Sequence, residues 1–215
     1  MLATAYYAYS AEIVSKAAKV LGKEEDARFY AGLARRVREA GVYSEIHSCI
    51  TTAAQVAAMK PSAVILSGGP ASVGEADAPV LDPGFLELGV PVLGICYGAH
   101  IMADQLGGAV VPATVGEYGT SRVVIDRKST LFEGIDPENV FWMSHRDAIS
   151  KIPAGFSVTA HTDKCPVAAM EAPERGLYAV QFHPEACGGP HDTQLLFDRF
   201  IAMMEGYRPA GRPER

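Results

Sequence analysis

Two short apolar runs that break straight into glycine constrain this chain more than any other feature. Residues 63–66 end in Ser67-Gly68-Gly69-Pro70, and residues 91–95 end at Cys96 within Gly94-Ile95-Cys96-Tyr97-Gly98. Neither run alternates apolar with polar, so neither suits a sheet with one face in water. A strand apolar on both sides needs cover on both faces. After the second run, residues 100–106 carry helical spacing and stop at Gly107-Gly108. Strand, glycine turn and helix in that order read as parallel strands flanked by helices, the α/β class.

The rest of the chain is read around that unit. Residues 42–46 read as a strand and 83–88 as a short helix. Beyond residue 120 the pattern changes. Residues 122–125, 140–143, 156–160, 166–170 and 177–182 are short strands with tight connections, so a smaller antiparallel region is expected beside a mostly parallel central sheet. Residues 194–204 form an amphipathic helix with Leu195, Leu196, Phe200 and Met203 on one side. Residues 1–32 differ from all of this. Ser10 is placed to cap a helix closed by Gly22, and a second helix runs from the acidic turn at 24–26 to Ala40. The division is an atypical helical segment over 1–32, a domain over 33–205 and a loose tail over 206–215.

Charge and cysteine usage narrow the function. The chain has 215 residues, with 19 Lys and Arg against 25 Asp and Glu, a net charge of −6. It lacks the basic stripe that a nucleic-acid binder needs, so that partner class is excluded. Cys49, Cys96, Cys165 and Cys187 are scattered without a C-x-x-C pair, which does not suit a disulfide framework. No apolar run approaches the roughly 20 residues of a membrane span, and the first residues lack the pattern of a secretory signal. A reducing, cytoplasmic setting without membrane contact is expected.

Gly94-Ile95-Cys96-Tyr97-Gly98 has the form of a nucleophile elbow with Cys in the reactive position. The glycines let a strand turn sharply into a helix. That turn lifts the thiol above the sheet and sets it at a helix N-terminus, where the dipole favours thiolate. A lone Cys is more often a small buried apolar residue; the strand before it, the helix after it and both glycines favour the nucleophile here. A thiolate needs a proton carrier, and His183-Pro184-Glu185 follows the strand at 177–182. In extended chain, residues i and i+2 share a face, so Glu185 is placed to orient His183. A zinc set of His183, Glu185 and His145 is the alternative, disfavoured because no histidine pair has helical or finger-like spacing. Backbone amides of the Ser67-Gly68-Gly69-Pro70 turn, with that of Tyr97, could stabilise an oxyanion.

These segments in this order resemble the class I glutamine amidotransferases, with the amidotransferase part of the GMP synthases as the nearest branch. The resemblance rests on Ile65-Leu-Ser-Gly-Gly-Pro70, Gly94-Ile-Cys-Tyr-Gly98, Glu117-Tyr-Gly119, Trp142-Met-Ser-His-Arg-Asp147, Cys165-Pro-Val-Ala-Ala169 and Val180-Gln-Phe-His-Pro-Glu185. It also takes in residues 34–46, and it runs from about residue 33 to residue 204. It implies a flavodoxin-like architecture and a Cys96-His183-Glu185 triad that hydrolyses L-glutamine through a thioester. Gly69 and Tyr97 are then oxyanion donors. Gly68, His100, Ser144, His145, Arg146 and Asp147 are then substrate-binding residues. The ammonia would pass to an ATP-pyrophosphatase partner that converts XMP to GMP. ATP and Mg belong to that partner, and no cofactor or metal is expected in this chain. An amidotransferase of another pathway, of anthranilate or carbamoyl phosphate type, and a catalytically impaired regulatory module are the alternatives.

Three departures from the family pattern stand out. Ala99-His100 replaces the usual Met-Gln. Arg146 stands where Gly is common. The opening apolar strand is missing from residues 1–32, and residues 2–30 are instead similar to a helical hairpin of α-L-rhamnosidase.

Overall fold

The computed structural model describes residues 37, 42–126, 129–186 and 192–206. The expected atypical segment over 1–32, its two helices and the tail from residue 207 lie outside the described residues. Of the second helix, Val37 is described, with helical backbone and a buried side chain.

In chain order the elements are α1 (Ala53–Ala58), β1 (Val64–Leu66), β2 (Val92–Ile95), α2 (Tyr97–Gln105), β3 (Ala109–Ile125), β4 (Glu138–Lys151), β5 (Ser157–His161), β6 (Ala169–Ala172), β7 (Leu177–Val180) and α3 (Asp192–Gly206). Single 3-10 turns occupy Pro83–Glu87 and Pro173–Arg175. The strands form one seven-stranded sheet in the order β1-β2-β7-β6-β5-β3-β4. β1, β2 and β7 pair in parallel. The pairings from β7 through β6, β5 and β3 to β4 are antiparallel.

The parallel strands carry the sequence signal that predicted them. Every residue of β2 and β7 is buried, and their side chains alternate between two cores. Leu93, Ile95, Tyr178 and Val180 face a core closed by Leu196, Phe197 and Phe200 of α3. Val92, Leu177 and Ala179 face the other core, closed by Ala99, Met102 and Ala103 of α2. This period of two, with apolar residues on both sides, is the reason these runs contain no polar alternation. In the first core Phe182 stacks on Phe141 of β4 at 4.2 Å between ring centroids.

Several expectations shift. Residues 42–48 form no strand. A strand exists where a neighbouring backbone completes its hydrogen bonds, and the Val42 amide instead donates back to the Val37 carbonyl at 3.3 Å. The antiparallel region is larger than the short strands suggested. β3 runs through Pro112 and Gly116, because a register shift between Pro112 and Glu117 absorbs them. The strand expected over 166–170 begins at Ala169. The helix α1 was not anticipated, although Thr52 and Gln55 form a capping box at its start.

Candidate active site

Cys96 sits between β2 and α2 with φ +50° and ψ −106°, a region that costs a non-glycine residue energy. Both flanking glycines are required by space. A Cβ on Gly98 would lie 2.0 Å from the Leu66 carbonyl oxygen, and one on Gly94 would lie 2.7 Å from the Gly98 carbonyl oxygen. The Cys96 amide donates to the Val180 carbonyl of β7 at 2.8 Å, and its carbonyl accepts from Ala99 and His100 in the first turn of α2. The backbone on both sides thus pins the strained residue.

His183 Nδ1–H donates to Glu185 Oε1 at 2.8 Å, and Cys96 lies close enough to His183 to raise its pKa. His183 and Glu185 are both buried. Burial opposes a charge on His183, but the hydrogen bonds and charges of Cys96 and Glu185 outweigh it and push its pKa up to about 10. The His183 amide donates to the Trp142 carbonyl of β4 at 2.8 Å. The Cys96 thiol lies 3.7 Å from the Ser144 carbonyl, two residues further along that strand.

Above the thiol is a pocket of about 240 Å³. That is below the roughly 300–1,000 Å³ of drug-sized sites and suits a ligand of amino-acid size. Gly69 and Tyr97 line it on one side, and Ser144, Arg146 and Asp147 on the other. A Cβ built on Gly69 would lie 3.9 Å from that of Tyr97, so the two backbone segments approach closely. The Tyr97 amide belongs to the first turn of α2, where N–H groups have no intrahelical acceptor.

The remaining residues singled out by sequence fall into three places. Gly68 is buried beside Gly69 and does not line the pocket. His100 lines it, with its Nε2–H donating to Gln181 Oε1 at 2.6 Å. Burial lowers the His100 pKa against the opposing pull of that bond. His145 lines the pocket as well, but both ring nitrogens are engaged: Nδ1–H donates to the Asp147 carbonyl at 2.8 Å, and Nε2 lies 3.3 Å from Glu117 Oε2.

The alternative zinc set is therefore not assembled. His145 gathers with Glu117 and Cys165, whose donor atoms lie within 4.8 Å of one another. The Thr162 hydroxyl also donates to Glu117 at 2.9 Å. Burial pushes the Cys165 thiol up to about 12, and it donates to the Val167 carbonyl. These hydrogen bonds tie His145, Glu117 and Thr162 to one another and so support the Ser144–Asp147 stretch.

Sequence reasoning missed Ser72, Glu75 and Gln181, which touch Arg146 and His100. Ser72 lies 74 residues from Arg146 and Gln181 lies 81 from His100, so no local spacing could have paired them.

The family model for "Glutamine amidotransferase class-I" matches residues 25–203. A GMP synthase [glutamine-hydrolyzing] of Oleidesulfovibrio alaskensis is 53% identical over 178 residues, covering 82% of this chain and 34% of that protein. One from Thermosynechococcus vestitus is 51% identical over 153 residues, covering 71% of this chain and 29% of that protein. This chain thus spans about a third of the length of the relatives it matches. Among solved structures, a Thermoplasma acidophilum protein described as a GMP synthase component superposes with TM-score 0.70 at 28% identity, over 81% of this chain and 87% of that one. A glutamine amidotransferase of Methylobacillus flagellatus, at 16% identity and TM-score 0.63 over 86% of this chain and 92% of that one, shares the fold.

Proposed function

Because the chain belongs to the class-I glutamine amidotransferase family, we propose that it hydrolyses L-glutamine to glutamate and ammonia, with Cys96, His183 and Glu185 as its triad. The observation that carries this reading is the convergence at the strained elbow of Cys96 and a His183 ring that is hydrogen-bonded to Glu185 and raised in pKa by both neighbours.

The steps follow from the geometry. The Cys96 sulfur attacks the side-chain amide carbon, and the carbonyl oxygen gains charge beside the Gly69 and Tyr97 amides. His183 gives its proton to the amide nitrogen. The carbon–nitrogen bond breaks, ammonia leaves and a glutamyl thioester remains on Cys96. Water then attacks the thioester while His183 takes its proton, and returning that proton to sulfur releases glutamate. Glu185 holds the imidazole with Nε2 toward sulfur throughout.

The ammonia goes to an ATP-dependent synthetase partner that converts XMP to GMP, in the cytoplasm. The relatives named GMP synthase, which extend well beyond the matched part, support that assignment. The amidotransferase domain occupies residues 33–205.

Glutamate release by the full chain, with its synthetase partner, XMP and ATP supplied, tests the reading. Wild type should turn over and Cys96→Ala should fall by at least about 10³-fold, the range removed with a triad member. Equal release by the two proteins overturns the proposal.

A further inference from the structure

A buried contact between β3 and β4 brings two acceptors face to face. His145 Nδ1 lies 2.8 Å from the Asp147 carbonyl oxygen, which can only accept, so Nδ1 carries the hydrogen. In the neutral ring Nε2 is then a lone pair, and it meets Glu117 Oε2 at 3.3 Å. Both side chains are almost wholly out of water, at 1% and 4% exposure. A positive charge has to lie between them, either a proton on Nε2 or a metal ion. An imidazolium bonded to a carboxylate closes to about 2.7–2.9 Å. The longer separation matches two corners of a zinc tetrahedron, which stand about 3.3–3.4 Å apart when the bonds are about 2.0–2.1 Å.

The surroundings are those of a ligand set. Cys165 Sγ completes a group of three donor atoms within 4.8 Å of one another, and Cys165 is fully buried. Imidazole, thiolate and carboxylate are the donors that zinc takes. Each is held from outside the group. The Asp147 carbonyl fixes the His145 ring through Nδ1–H, as the partners of metal-binding histidines do. The Thr162 hydroxyl donates to Glu117 at 2.9 Å and accepts from the Cys165 amide at 2.8 Å, so one residue positions two of the three. The backbone allows the approach. Glu117 stands directly opposite His145 where the ladder resumes after its register shift. A Cβ on the preceding Gly116 would lie 2.8 Å from the His145 carbonyl oxygen.

We propose that Glu117, His145 and Cys165 bind one zinc ion, which ties β3 and β4 to the turn before β6 beside the reactive pocket. Zinc bonds to sulfur as the thiol proton leaves to solvent, and three protein ligands leave one position for water. The resemblance implied a chain without metal. This set shares only His145 with the zinc set weighed from spacing, and neither Cys96 nor His183 takes part.

The test loads the full chain, free of any polyhistidine tag, with zinc or cobalt and removes unbound metal by gel filtration. Wild type and Cys96→Ala should each retain about one zinc per chain. Cys165→Ala, Cys165→Ser and Glu117→Gln should lose more affinity than the about 100-fold that a supporting partner of a ligand is worth. Cobalt should give a thiolate-to-metal charge-transfer band in wild type and Cys96→Ala, and none in Cys165→Ala. A chelator should lower the thermal midpoint of wild type, and added zinc should restore it. That last measurement needs no variant, so it decides even where a substitution prevents folding. A wild type that retains no zinc, a midpoint indifferent to the chelator, zinc retained undiminished by Cys165→Ala, or a cobalt band lost in Cys96→Ala overturns the proposal.

Discussion

Cys96 and His183 form a coupled pair whose chemistry is visible in one ring. The folded state pushes the His183 pKa from 6.5 to about 10, so it favours the charged imidazolium. The stability this contributes is full below about pH 6.5, declines above it and is gone as pH passes 10. Activity that depends on His183 as proton donor should fall along the same alkaline limb. Ring NMR titration checks the cause. His183 should titrate near 10 in wild type and markedly lower in Cys96→Ala, where the hydrogen bond and charge from sulfur are gone; an unchanged midpoint would show that Glu185 alone sets it. At this scale the sequence was most informative where the chemistry is local. Cys96 lies between two glycines and Glu185 lies two residues from His183, so spacing alone brought them out. Arg146 and His145 were singled out by the resemblance, without their partners. Those partners, Ser72 and Glu117, lie 74 and 28 residues away and meet them only through the sheet.

The elements carry the elbow as a space problem more than a propensity problem. β2, α2 and β1 converge so closely that a methyl group at Gly98 would collide with the Leu66 backbone, which is not a flexible side chain that can turn aside. Gly98→Ala should therefore lower stability by about 3 kcal/mol, at the upper end of overpacking, measured by urea denaturation. A change below about 1 kcal/mol would mean that β1 can retreat from α2. The apolar runs made β1, β2 and β7 legible because burial on both faces leaves no polar alternation. β3 and β4 were read as fragments for the converse reason. Their burial alternates along β4, and Pro112, Gly116 and Gly119 interrupt β3 in sequence while a register shift keeps the ladder intact in space. α1 was passed over although its Thr52 and Gln55 cap was in plain view.

At the scale of the molecule the sheet curls. β1 and β4 are its two ends, yet β4 returns to the parallel strands, where Trp142 accepts from the His183 amide and the Ser144 carbonyl faces the Cys96 thiol. The fold class was readable from the parallel unit, but this return was not, since it depends on twist summed over several antiparallel pairings. Burial also grades across the sheet: β2 and β7 are wholly buried, whereas β1 is half-buried at the edge. Hydrogen exchange should follow that grade, with β1 amides opening before those of β2 and β7; uniform protection would contradict it. The curl has a further consequence for how the protein fails. The reactive cysteine lies on a seam where distant parts of one sheet are stitched together, not in a hollow scooped from a single wall. A seam has no half-open working state. Catalytic competence should vanish at the same denaturant concentration as the near-ultraviolet circular dichroism of the core aromatics, with no folded but idle species between them.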